Sequence, residues 1–188
     1  MADFDFDAVV VGAGAVGLAC GYALSGRGLA VAVLEAEPVI GQGVSSRNSE
    51  VIHGGLYYPT GSLKARLCVQ GGRRLYAFLE KHNVAFDRCG KLVVASEPGD
   101  EARLEAIWEQ ALANDVEGMA RLTRDQALAM EPDLRDTAAL HSPQSGVFDS
   151  HGYMLALQGE IEAAGGAVVI STPFEGARPL EGGGFAVQ

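Results

Sequence analysis

A chain of 188 residues, 48% of them hydrophobic, is long and apolar enough to bury a core, which excludes intrinsic disorder as its dominant state. The 24 acidic residues outnumber the 14 basic ones and leave a formal net charge of −10, so we expect no nucleic-acid partner. Three widely spaced cysteines without a CxxC pair argue against a disulfide framework and against a zinc site, and they predict a reducing compartment and no bound metal.

The first 35 residues predict a strand, a glycine-rich turn, a helix and a second strand. The valine-rich runs at 6–11 and 29–35 favour buried parallel strands, and the uncharged helix between them ends near Gly26. Aspartates precede this apolar stretch where a signal peptide needs basic residues, and glycines interrupt it. We therefore predict no transmembrane segment and a cytoplasmic protein.

The turn between the first strand and the helix has the GxGxxG spacing of a dinucleotide-binding site. Gly12 allows the tight turn, Gly14 lets a pyrophosphate approach the backbone, and Gly17 lets the helix pack on the strand. Free N–H groups of Ala15, Val16 and Gly17 at the positive end of the helix dipole favour an anion.

Glu35 ends the second predicted strand, 18 residues after Gly17, where a carboxylate accepts hydrogen bonds from ribose hydroxyls. An NAD-binding dehydrogenase domain and an FAD-binding domain both fit this pattern. Gly21, four residues after Gly17 on the same helix face, favours FAD.

A polar loop follows the second strand and leads into a histidine between apolar and glycine residues. Its clustered hydroxyls, amide and guanidinium could hold a pyrophosphate and a ribityl chain, or only cap the loop itself; they belong to Ser45, Ser46, Arg47 and Asn48. His53 is followed by Gly54 and Gly55, which would let the ring and the backbone approach a flat ligand.

The rest of the chain predicts further helices and strands that complete an α/β fold. Helices are predicted at 63–82, with Leu67, Leu75 and Leu79 on its buried face, and at 101–113, 123–130 and 153–164. Strands are predicted at 91–96 and 167–171, and after a glycine turn 185–188 forms the returning strand of a hairpin. We predict a Rossmann-like core from 1–60 and 140–188 with a helical insertion at 61–139.

One sequence block points to a particular protein family: SSRNSEVIHGGLYYPTGSLKARLCVQG. Together with the glycine turn, KLVVA and GVFDSHGYMLAL, it resembles FAD-dependent oxidoreductases of the D-amino-acid oxidase superfamily, and most closely the L-2-hydroxyglutarate dehydrogenase/oxidase branch. The IHGG segment is also similar to FAD-dependent glycerol-3-phosphate dehydrogenases. The likeness extends from about Asp7 to Ala177.

The resemblance implies a role toward FAD for each matching position. At the adenosine and pyrophosphate end it implies Gly12, Gly14 and Gly17 at the pyrophosphate, Glu35 at the ribose, and the Phe174 backbone at the adenine. At the flavin end it implies Ser46, Arg47 and Asn48 along the pyrophosphate–ribityl path, with His53 and Gly54 at the isoalloxazine ring.

The reaction that the resemblance implies is hydride transfer from a small 2-hydroxy acid, similar to L-2-hydroxyglutarate, to flavin. His53 is the candidate catalytic base, and the alternatives are that it only packs on or polarises the flavin, or that the base lies elsewhere. A glycerol-3-phosphate dehydrogenase and an oxidase of small amino acids or amines are the alternative enzymes.

Because family members continue well beyond Gln188 and the sequence ends within a predicted strand, we also consider an FAD-binding fragment without turnover. On this reading the chain is the N-terminal part of a two-domain flavoprotein. The sequence assigns no electron acceptor and leaves peripheral membrane contact open.

Overall fold

The structure is a computed structural model that describes residues 5–95, 97, 99–134 and 138–188. These residues form both helices and short strands. The helices are α1 (Ala15–Ser25), α2 (Leu63–Lys81), α3 (Asp100–Ala113), α4 (Arg124–Met130) and α5 (Ser150–Ala163). The strands are β1 (Ala8–Val11), β2 (Val31–Leu34), β3 (Val51–Ile52), β4 (Phe86–Asp87), β5 (Lys91–Val94), β6 (Ala120–Leu122), β7 (Ala139–Ser142), β8 (Gly146–Phe148), β9 (Ala167–Val169), β10 (Ala177–Pro179) and β11 (Phe185–Val187). The described residues divide into two compact units. The first consists of the described residues up to Ser49 together with Asp149–Gln188, and the second consists of Glu50–Phe148.

The first unit contains a parallel sheet in the order β1-β2-β9. Ala8 of β1 lies opposite Val31 of β2, so the adjacent parallel strands predicted at the start of the sequence are confirmed. Helices α1 and α5 pack against each other and against the sheet. A Cβ atom on Gly21 of α1 would lie 2.8 Å from Val33 and 2.9 Å from Ile161 of α5, so the close packing requires glycine there.

Aliphatic side chains from α1, β2 and α5 form the core of this unit. Leu18, Val33 and Ile161 are fully buried, with Leu157 beside them in α5. Burial of each such side chain stabilises the fold by about 1.5–3 kcal/mol. The antiparallel hairpin β10–β11 completes the unit and confirms the predicted returning strand at the end of the sequence.

The second unit contains two three-stranded antiparallel sheets, β3-β8-β4 and β5-β7-β6, together with α2, α3 and α4. One apolar cluster joins Leu56 to Ala111 and Val116, and another joins Leu104 to Leu140. A capping box starts α4, since Thr123 and Gln126 bond to each other's backbone N–H.

The second unit extends further than the predicted helical insertion at 61–139. It begins with β3 and ends with β8. These two strands pair with each other in antiparallel fashion, with Val51 of β3 opposite Val147 of β8. A two-residue strand carries no readable periodicity in the sequence, which is why the predicted limits fall inside the observed ones. The segment also contains strands β4, β5 and β6 in addition to its helices.

Candidate functional site

The glycine turn between β1 and α1 is held by backbone constraints at two positions. Gly12 has φ of +95°, in the left-handed region, and its N–H donates to the carbonyl of Leu34 at 2.7 Å. A Cβ atom on Gly17 would overlap the carbonyl oxygen of Gly12. Only glycine satisfies both positions, and the turn places the N-terminus of α1 at the carboxyl end of β1.

Ser45 supplies the N-terminal cap that Gly14 has no side chain to provide. Its Oγ accepts a hydrogen bond of 3.0 Å from the N–H of Ala15, and a Cβ on Gly14 would lie 2.9 Å from that oxygen. The Ala15 N–H that we predicted to be free is therefore bonded. Since a hydroxyl that accepts a bond keeps its own O–H, Ser45 can present a donor to an anion at this helix end, where Val16 is 78% exposed.

The carboxylate of Glu35 is fixed by two backbone donors at the end of β2. Its Oε2 accepts a hydrogen bond of 2.7 Å from Ala13 N–H, and its Oε1 accepts one of 3.0 Å from Glu37 N–H. A carboxylate has more acceptor sites than these two bonds use, so Glu35 can still accept from ribose hydroxyls.

A cleft of about 400 Å³ opens beside these groups, within the usual range of ligand pockets. Gly14, Glu35 and Ser45 line it together with residues 36–37 and 41–44. The cleft combines a glycine where the backbone can be approached, a helix N-terminus and an oriented carboxylate. These groups fit the pyrophosphate and the adenosine ribose of a dinucleotide.

Ser46, Arg47 and Asn48 hold the loop that carries Ser45. Ser46 Oγ donates to the carbonyls of Gln42 and Gly43 at 3.0 and 2.9 Å, and Arg47 Nη1 reaches the same two oxygens at 3.4 and 3.5 Å. Asn48 Nδ2 donates to the carbonyl of Ser45 at 2.8 Å and also contacts α5. These three exposed side chains do not line the cleft, so their path along the ribityl chain stays a prediction.

Phe174 lies in the segment between β9 and β10, which runs beside Glu35. Thr172 N–H donates to the Glu35 carbonyl at 2.8 Å, which brings the backbone of this segment to the ribose end of the cleft. The Phe174 side chain is 43% exposed and faces a separate apolar groove of about 680 Å³ with Val9 and Phe185. Its predicted contact with adenine is through the backbone and stays a prediction.

In the second unit, His53 directly follows β3 and is exposed, while the next three residues of its loop are buried. Partial burial lowers the pKa of its imidazole below the ordinary 6.5, and the positive charges of Lys91 and Lys64 lower that pKa further. The side chain is therefore neutral at physiological pH and able to accept a proton.

The two glycines after His53 are required by packing and by backbone conformation. Gly54 is buried, and a Cβ atom there would lie 3.1 Å from both Leu56 and Ser142 Oγ. Gly55 has φ of +92°, which favours glycine. A side chain at position 54 would require its neighbours to shift by a few tenths of an ångström, whereas the backbone at position 55 strongly favours glycine; Gly54 packs inward.

Asn114, at the C-terminal end of α3, holds the same loop and was not singled out from the sequence. Its Nδ2 donates to the carbonyl of Gly55 at 3.0 Å and to that of Tyr58 at 2.8 Å. The bridge spans more than 50 residues of sequence, so only the pairing of α3 with the loop reveals it. The sole sequence signal is a polar residue directly after an amphipathic helix.

Comparison with known proteins assigns this chain to a family: it belongs to the FAD-dependent oxidoreductases, whose family model matches residues 7–188. It is 44% identical over 151 residues to the mitochondrial L-2-hydroxyglutarate dehydrogenase of Arabidopsis thaliana, covering 80% of this chain and 31% of that protein. It is 40% identical over 172 residues to the mitochondrial L-2-hydroxyglutarate dehydrogenase of Pongo abelii, covering 90% of this chain and 41% of that protein. The chain thus spans about a third to two fifths of the curated relatives it matches.

A solved structure with the same fold is the FAD-bound L-alpha-glycerophosphate oxidase of Mycoplasma pneumoniae. It superposes with a TM-score of 0.88 at 24% identity, over 97% of this chain and 49% of that one. This likeness confirms the predicted α/β fold class, and the family match confirms the family resemblance, an FAD-dependent oxidoreductase domain and FAD as the cofactor. The family match also decides against the NAD-binding alternative.

None of the helices in the described parts of the chain is long and apolar enough to cross a membrane. Among the described residues, no group of three or more His, Cys, Asp or Glu side chains could hold a metal ion. The prediction of a cytoplasmic protein stays a prediction, since both relatives carry the word mitochondrial in their names.

Proposed function

We propose that the protein carrying this chain oxidises a small 2-hydroxy acid, with L-2-hydroxyglutarate as its substrate, and passes the hydride from C2 to FAD. The observation that supports this most strongly is the 40–44% identity to two L-2-hydroxyglutarate dehydrogenases over 80–90% of the chain. FAD, when bound, supplies the hydride acceptor; the product is the corresponding 2-oxo acid.

The first unit would hold the adenosine and pyrophosphate of FAD. Gly14 would leave room for the pyrophosphate at the start of α1. The Ser45 hydroxyl would donate a hydrogen bond to a phosphate oxygen, and the Glu35 carboxylate would accept hydrogen bonds from the ribose hydroxyls. Each role uses a group whose orientation is already fixed by backbone hydrogen bonds, so little ordering is needed on binding.

In the second unit, His53 would act as the base. Oxidation of an alcohol requires the hydroxyl proton to leave as the C2–H bond breaks, and a neutral imidazole takes that proton. The lowered pKa of His53 keeps it in the neutral form before the substrate binds. The Asn114 bridge and the two glycines hold the loop so that the imidazole keeps one position.

The cofactor assignment is tested by an absorbance scan of the purified protein before and after addition of FAD. We expect flavin bands that stay with the protein through gel filtration. A Gly14→Leu variant should lose them, because its side chain would fill the space beside Ser45. Protein that retains no flavin under either condition would contradict the assignment.

The reaction is tested by anaerobic mixing of the flavin-loaded product of the complete reading frame with separate substrates. L-2-hydroxyglutarate should bleach the flavin band, while glycerol 3-phosphate, glycine and a simple amine should not. Bleaching by one of these three and by no 2-hydroxy acid would replace the proposed substrate class. The same assay on the 188-residue chain tests the alternative of a fragment that binds FAD without turnover.

A further inference from the structure

Two lysine ammonium groups are held over neighbouring aromatic rings in the loop that follows His53. Lys64 Nζ lies 4.3 Å from the ring centroid of Tyr58, and Lys91 Nζ lies 5.5 Å from that of Tyr57. Lys64 comes from α2 and Lys91 from β5, so two elements separate in sequence converge on one loop. Attraction to the ring faces restrains flexible side chains that water would otherwise leave free.

These lysines are not neutralised by acidic neighbours. Within the part of the chain that the structure describes, neither lysine forms a salt bridge, although acidic residues outnumber basic ones by 24 to 14. Both ammonium groups lie close enough to His53 to lower its pKa. The small cavity beside His53 is lined by two charged residues, Arg73 and Glu117, which pair with each other at 2.5 Å, and by neither lysine.

The same loop offers space for a short carbon chain. The ring of Tyr57 lines a groove of about 330 Å³ together with Val93 and Ile107, and two oppositely charged residues, Arg103 and Asp100, line the same groove. Burial raises the pKa of the Tyr57 hydroxyl, so that it stays protonated and can donate to an anion. The apolar wall, the Lys91 ammonium over the Tyr57 ring and the Arg103 guanidinium match a molecule with carboxylates separated by methylenes, bound away from the Asp100 carboxylate.

We infer that Lys64 and Lys91 are the carboxylate-binding residues that make this site selective for a dianionic substrate over a monoanionic one. The inference rests on the proposed function, and it adds the residues that recognise a dicarboxylic 2-hydroxy acid. Bound carboxylates would neutralise the two ammonium groups whose charges otherwise act on His53. Binding there would also place the hydroxyl-bearing carbon of the substrate near this base.

The test uses glutarate, which has both carboxylates but no hydroxyl to oxidise, and butyrate, which has only one carboxylate. Binding to the FAD-loaded protein is followed by the chemical shift of the His53 imidazole, identified by its loss in His53→Gln. We expect glutarate to bind at least about tenfold more tightly than butyrate, a difference of about 1.4 kcal/mol. Lys64→Met and Lys91→Met should each weaken glutarate binding several-fold, and the double variant should remove the preference.

Two further variants keep the test decisive. Lys81→Met removes the same charge at the far end of α2 and should leave the preference unchanged. The double variant Lys64→Arg with Lys91→Arg keeps both charges and should retain most of the preference for glutarate. It therefore distinguishes an effect of lost charge from an effect of lost folding. Equal binding of the two acids by the native protein, or an unchanged preference in the folded double Met variant, overturns the inference.

Failure of this inference can be told from failure of the proposed function. If L-2-hydroxyglutarate bleaches the flavin and the Met variants keep the glutarate preference, the lysine assignment is wrong and the reaction stands. If glutarate binds with the expected preference and no 2-hydroxy acid reduces the flavin, the dicarboxylate site stands and the reaction is wrong.

Discussion

The Oε2 atom of Glu35 lies 2.7 Å from the backbone nitrogen of Ala13 and accepts its N–H. This bond joins the end of β2 to the glycine turn that follows β1, and it orients the carboxylate before any nucleotide binds. Glu35 thus fixes the turn at the start of α1, and we propose that its remaining acceptor positions receive ribose hydroxyls in the same cleft.

Glu35→Gln should weaken FAD binding about tenfold or more, because charge-assisted hydrogen bonds of roughly 1.5–3 kcal/mol are replaced by neutral ones. The dissociation constant follows from the change in flavin fluorescence on titration. Glu162→Gln is the matched control, since Glu162 is an exposed residue of α5 that does not line the cleft. Equal affinities of the two variants would remove Glu35 from the cofactor site.

Gly17→Ala and Gly159→Ala should have opposite effects on stability. A Cβ at position 17 overlaps the Gly12 carbonyl, so we expect a loss of several kcal/mol or failure to fold. At position 159, an exposed position of α5, a Cβ meets nothing within 4 Å, so alanine should stabilise by about 0.5–1 kcal/mol. Chemical denaturation of both variants gives these values, and similar effects at the two sites would contradict the turn geometry.

Asn114→Asp should be more damaging than Asn114→Ala, although aspartate is closer to asparagine in size. Alanine removes two hydrogen bonds to the carbonyls of Gly55 and Tyr58, at a cost of about 1–3 kcal/mol. Aspartate removes them and adds a negative charge facing two carbonyl oxygens. Denaturation midpoints rank the variants, and a better-tolerated aspartate would show that the bridge does not hold the loop.

The pKa of His53 should lie below 6.5 in an NMR titration, and Lys91→Met should move it upward. The sign follows because a nearby ammonium disfavours the imidazolium, so removing it makes protonation easier. If His53 is the base, the acid limb of kcat/KM moves to higher pH in the same variant, since that parameter reports the free enzyme. A pKa that stays fixed or falls would contradict the proximity of Lys91.

The strands and helices of the first unit could be predicted because their signals are local. Valine-rich runs on either side of a GxGxxG turn specify a parallel β-α-β unit within 35 residues, and the structure keeps that register. The roles of Glu35 and the glycines follow from the same spacing.

The features that the sequence did not predict depend on pairing across the chain. Strand β3 exists because Val51 meets Val147 nearly 100 residues later, and two residues show no period. Leu67, predicted on the buried face of α2, is 53% exposed, while Tyr76 of the same helix is buried. The Asn114 bridge and the Lys64–Tyr58 contact likewise join residues whose proximity only the tertiary fold creates.

The most direct test of the account is the rate at which L-2-hydroxyglutarate bleaches the flavin of the native protein and of His53→Asn under anaerobic stopped flow. We expect rapid bleaching by the native protein, with His151→Asn unchanged because His151 is an exposed residue of α5 in the first unit. Bleaching by His53→Asn should be slower by about 10²–10⁴-fold, as general-base loss requires. Absence of bleaching in the native protein would contradict the proposed reaction, and a loss below about tenfold in His53→Asn would remove His53 as its base.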